Sequence, residues 1–88
     1  MIEKIFTIKN RLGLHARPAA MFVKEAAGFK SAIVVLKDGL EVNGKSVMGL
    51  MLLAAESGSR LTVRADGPDE ASAMQALANV FERKFDEE

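Results

Sequence analysis

At 88 residues, 49% of them apolar and 27% charged, the chain is sized and composed for a single small globular domain spanning 1–88. It contains no cysteine, which excludes a disulfide frame, a thiolate nucleophile and a cysteine-based zinc site. The formal net charge is zero and Trp and Tyr are absent, a poor composition for binding nucleic acid.

The opening stretch IEKIFTI (2–8), rich in Ile, Phe and Thr, reads as a strand. Glu3 and Lys4 interrupt its apolar run, so it does not read as a secretory signal. No stretch approaches the roughly 20 apolar residues of a membrane span, and a cytoplasmic chain without membrane insertion is expected. After KNRLG, the apolar positions Ala19, Phe22, Val23 and Ala26 recur at helical spacing between Ala16 and Ala27, and Gly28 supplies the stop. Arg17, Met21 and Lys24, spaced four and three apart, are expected to share one exposed side of that helix. SAIVVLKDG (31–39) and LEVNG (40–44) form a hairpin around Asp38-Gly39.

KSVMGLMLLAA (45–55) and an ESGS turn lead to RLTVRAD (60–66). That strand alternates cleanly, with Leu61, Val63 and Ala65 inward and Thr62, Arg64 and Asp66 outward. GPDE opens a last helix on which Met74, Leu77, Ala78, Phe81 and Phe85 are expected to form one stripe. Asp69 and Glu70 suit the positive end of its dipole, and Arg83 and Lys84 the negative end. The order βαββαβα predicts an α+β domain: an antiparallel sheet with all helices on one face and water on the other.

The only histidine lies in RLGLHARPAA (11–20), just before the first helix. A helix start presents backbone N–H groups without partners, here those of Ala16 and Arg17, and together with the helix dipole they favour an anion. Pro18 is tolerated only in a first turn and so fixes where the helix begins, while Gly13 permits a positive φ or a close backbone approach. Residues 1–30 carry six Lys or Arg against two Glu, a net +4 that suits a local anion or an acidic partner. An imidazole placed here either caps and packs, or acts as a nucleophile that takes a phosphoryl group steadied by the helix and Arg17. A metal site is disfavoured, because one His without Cys leaves only carboxylates as co-ligands and none is near in sequence.

Val47 to Leu53 is almost continuously apolar, more than a short helix in a two-layer domain can bury. Val47, Met48 and Met51 are expected to form a docking surface, with Leu50 and Leu53 as core. Ser46 is well placed as the N-cap of this segment.

GLHARPAA, together with VNGKSVMGLMLLAA and VRADGPDE at the matching distances, resembles the HPr family, the histidine-containing phosphocarriers of the bacterial phosphoenolpyruvate-dependent phosphotransferase system. The likeness covers nearly the whole chain. It implies an open-faced β-sandwich of four antiparallel strands and three helices. It also implies phosphorylation of His15 at Nδ1 by phospho-enzyme I, with Arg17 steadying the phosphate, and transfer to an enzyme IIA component. A monomeric carrier with no cofactor, no metal and no turnover of its own is expected. The resemblance further implies partner contacts along the first two helices, Met21 and Lys24 included, and in some members regulation at Ser46 by an HPr kinase/phosphorylase. Leu12 and the tail KFDEE resemble the nitrogen-related NPr branch, in which a regulatory binding role without chemistry is the alternative.

Overall fold

The computed structural model describes residues 1–87. The elements follow as β1 (Ile2–Thr7), α1 (Ala16–Ala27), β2 (Ala32–Lys37), β3 (Leu40–Asn43), α2 (Val47–Leu52), β4 (Arg60–Asp66) and α3 (Glu70–Glu82), and then a short helical turn over Lys84–Asp86. The four strands form one antiparallel sheet in the order β1-β4-β2-β3. Asp38 and Gly39 join β2 to β3 with φ of +49° and +84°, the paired positive values that a two-residue hairpin turn demands.

β4 lies between β1 and β2 and shows the expected alternation. Leu61, Val63 and Ala65 are buried, and Thr62 and Arg64 turn to the other face. There Arg64 pairs with Glu3 of β1 and reaches Glu41 of β3 at 3.7 Å. These are partly exposed ion pairs, so the sheet owes its stability to the helix-covered side. That side receives Ala19, Phe22 and Ala26 from α1, Leu50 from α2, and Ala73, Met74, Leu77, Val80 and Phe81 from α3. Phe81 organises the aromatic part of the core. It stacks on Phe6 at 4.6 Å and meets Phe22 and Phe85 edge-on at 5.9 and 5.2 Å.

The last helix departs from the stripe expected of it. Ala73 and Val80 belong to its buried face, Ala78 is only half-buried, and the helix ends at Glu82. Phe85 reaches the core by another route: Lys84, Phe85 and Asp86 all adopt left-handed backbone, with φ of 55°, 54° and 57°. Each such non-glycine residue costs about 1–2 kcal/mol. Burial of the Phe85 side chain, about 1.5–3 kcal/mol, offsets only part of that cost. Lys84 therefore lies beyond the helix it was expected to complement.

Two backbone clamps set the position of α1. At its start, Gly13 has φ of +75°, and a Cβ there would stand 2.5 Å from the Ala55 carbonyl oxygen. The neighbouring Leu14 amide donates to that same carbonyl at 2.8 Å. At its far end, the Asp69 carboxylate turns away from its own helix and accepts hydrogen bonds from the amides of Lys30 (2.8 Å) and Ser31 (2.9 Å) and from the Ser31 hydroxyl. The Ser31 hydroxyl and the Lys30 amide hold the Asp69 carboxyl down from 3.8 to about 2.

Gly13→Ala combines a left-handed alanine with a backbone collision, so a loss of roughly 2 kcal/mol or more and a fall of about 10 °C in melting temperature are expected by thermal denaturation. Because Asp69 is depressed in the folded state, its contribution is present above about pH 3.8 and is lost as the pH falls towards 2. Asp69→Asn should therefore be less stable than wild type at neutral pH and lose less stability between pH 4 and pH 2, which acid titration of the folded fraction measures.

Candidate functional site

His15 is the N-cap of α1, with extended backbone (φ −83°, ψ −171°), and its carbonyl accepts the first helical hydrogen bond from Ala19 at 3.0 Å. Its side chain does not cap the helix, so the early amides remain available to another acceptor. The ring is 36% exposed, which leaves it within reach of solvent. An open cleft of about 480 Å³ adjoins it, bordered by Arg11, Leu12, Ala54, Glu56 and Ser57.

A carboxylate from the far end of the chain completes the site. Glu87 Oε1 lies 3.1 Å from His15 Nε2, although the two residues are 72 positions apart. The same oxygen accepts a hydrogen bond from Asn10 Nδ2 at 3.1 Å. Asn10 is fully buried and also donates to the Gly13 carbonyl at 2.7 Å, which ties the carboxylate to the loop that sets the helix start. Partial burial works to raise the Glu87 carboxyl. The hydrogen bonds from His15 and Asn10 and the charge of Arg17 outweigh it, so the group lies below its usual range and stays ionised. Among the described residues, His15 Nδ1 has no hydrogen-bond partner, and no group of three or more residues could hold a metal ion.

Arg17 is exposed in the first turn of α1, two residues after the ring, and its charge is felt at Glu87. Lys24 is exposed further along the same helix. Met21, expected beside them on an open side, is half-buried and packs against the core, α1 meeting both α2 and α3.

On α2, Ser46 is the N-cap, its hydroxyl accepting from the Gly49 amide at 3.0 Å. Leu50 and Leu53 are buried, as their pattern suggested. Met48 is 80% exposed and Met51 46%, an apolar ridge open to solvent. Val47 is half-buried against the core and supports the ridge more than it adds to it. The pattern missed Leu52 and Leu12, which are 71% and 67% exposed and extend the apolar surface. It also missed Glu87, because no local rule foresees three consecutive left-handed residues ahead of it.

A search of protein families matches residues 2–83 to PTS-HPr, described as the PTS HPr component phosphorylation site. The chain is 49% identical to the phosphocarrier protein HPr of Xylella fastidiosa strain Temecula1, over 100% of this chain and 99% of that protein. It is 51% identical to the HPr-like protein Crh of Halalkalibacterium halodurans, over 96% of this chain and 100% of that one. Among solved structures, that of HPr-C-His from Thermoanaerobacter tengcongensis superposes with a TM-score of 0.96 at 49% identity, covering 100% of this chain and 99% of the other. With a family match across nearly its whole length and full-length relatives near half identity, the chain belongs to the HPr family.

Proposed function

We propose that this protein is a phosphocarrier of the phosphotransferase system that accepts a phosphoryl group on His15 Nδ1 from phospho-enzyme I and passes it to an enzyme IIA component. The observation that carries this reading is the placement of one half-exposed imidazole at the start of α1, with Nε2 engaged by Glu87 and Nδ1 without a protein partner among the described residues. A phosphoryl group on Nδ1 would be favoured by the positive end of the helix and by the Arg17 guanidinium. Enzyme I and IIA bring the remaining catalytic groups, so the chain relays phosphate without turnover of its own, as a cytoplasmic monomer, with no metal or cofactor.

Docking falls to the apolar ridge of Met48 and Met51, backed by Val47, with Met21 and Lys24 beside it on α1. Flexible thioethers suit a surface that must meet a donor and several acceptors in turn. The same ridge supports a regulatory role for Ser46. A phosphate added there by an HPr kinase/phosphorylase would place a near-dianion two residues from exposed Met48, and its charge would oppose apolar docking.

Incubated with enzyme I and phosphoenolpyruvate, the wild-type chain should gain the mass of one acid-labile phosphate. His15→Ala should gain none while keeping its melting temperature within a few degrees, because the ring is not part of the core. A phosphate gain in that variant would move the acceptor elsewhere. Met48→Asp should weaken enzyme I binding about tenfold in calorimetric titration, the cost of burying a charge in an apolar contact; unchanged affinity would remove Met48 from the interface.

A further inference from the structure

We propose that Glu87 is a positioning residue for the phosphoryl acceptor: its carboxylate takes the Nε2–H of His15, holds the ring in the tautomer whose lone pair is on Nδ1, and offsets the positive charge that the ring gains as the nitrogen–phosphorus bond forms. The inference rests on the reading of His15 as the residue that carries phosphate. Its foundation is geometric. Glu87 Oε1 stands 3.1 Å from Nε2, and the same oxygen is fixed at 3.1 Å by the amide of Asn10, which has no exposure of its own. A carboxylate accepts protons and donates none when ionised, so the atom opposite it must be the protonated ring nitrogen.

The backbone supplies an independent argument. Strained backbone persists only where its surroundings hold it, and it clusters where it positions a functional group. Three left-handed residues, Lys84 to Asp86, turn the chain back after α3, with Phe85 buried as the anchor. The residue delivered by that turn is Glu87, with its side chain only 19% exposed beside the ring. Among the described residues, the other charges near the ring are Arg17 on α1 and Arg11 and Glu56 at the cleft. None of these is within hydrogen-bonding distance of His15, so of the described residues Glu87 alone contacts the nitrogen.

In the transfer step, the Nδ1 lone pair forms the bond to phosphorus while the donor's bond to phosphorus breaks and its electron pair stays with the donor. Nε2 keeps its proton, and the ring carries a positive charge next to the Glu87 anion. On delivery the bond electrons return to Nδ1 and the ring leaves as a neutral imidazole, a better leaving group than an imidazolate. A carboxylate that orients a histidine and compensates its charge, without itself taking the proton, is an established arrangement in acyl transfer.

His15 is the only histidine, so its ring nitrogens can be read directly by nitrogen-15 NMR of the full chain. The wild type should show a protonated Nε2 whose hydrogen is protected from exchange, and an unprotonated Nδ1. Glu87→Ala should lose that protected hydrogen to water and take up phosphate from phospho-enzyme I roughly fivefold more slowly, the scale of a partly exposed charge pair. Glu87→Gln, whose amide oxygen still accepts the hydrogen bond, should keep the Nε2–H signal and slow uptake by removing the charge alone. Wild-type nitrogen signals and a wild-type uptake rate in Glu87→Ala would overturn the proposal. Failure of the wild type to take up any phosphate would instead overturn the phosphocarrier reading, and the NMR comparison would still decide whether Glu87 sets the tautomer.

Discussion

The hydrogen bond from the Leu14 amide to the Ala55 carbonyl fixes the place of everything at the active end of the molecule. It fastens the segment before α1 to the segment after α2, and it closes only because Gly13 has no side chain to push Ala55 away. Leu14 is buried directly behind it, so the next residue must emerge at the surface as the helix begins. His15 is that residue. Its exposure and its position at the helix start follow from a backbone contact two residues wide rather than from any interaction of the ring itself.

A domain of this size has too little interior to hide both sides of a six-residue helix. α2 resolves the conflict by sending Leu50 inward and leaving Met48, Met51 and Leu52 outside. The choice of residues is consistent with that division. Leucine fills the core with a defined rotamer, while methionine keeps three rotatable bonds on the side left open to solvent. Apolar exposure here is a by-product of smallness that the family's relay chemistry can use, since a carrier must bind firmly enough to react and weakly enough to leave.

Most of the architecture could be read from the chain because its signals are local. Alternation in RLTVRAD, the Asp38-Gly39 turn and the Ala19, Phe22 and Ala26 spacing each specify one element without help from distant residues. His15 and Ser46 were legible for the same reason, since caps are set by their immediate neighbours. Met21 is more buried than its spacing suggested, because helical spacing defines a face but not how far the core will reach around it. Asp69 was read as a charge complementing its own helix, yet it serves the α1–β2 connection, a pairing across 39 positions. The continuation of α3 to Phe85 failed on a different ground. Burial demanded that Phe85 point inward, and periodicity suggested a helical route, whereas the chain reaches the same end by reversing its handedness.

The sheet face that carries Arg64, Glu3 and Glu41 has a separate consequence for how this protein can diverge. No helix covers it, and neither His15 nor the methionine ridge lies on it. Solvated positions such as Thr7 and Glu41 can therefore exchange for other polar residues at a cost usually within about 0.5 kcal/mol. Selection on phosphate relay would leave this wall of the molecule free to drift, and a fluorophore tethered there would stay clear of both His15 and the methionine ridge.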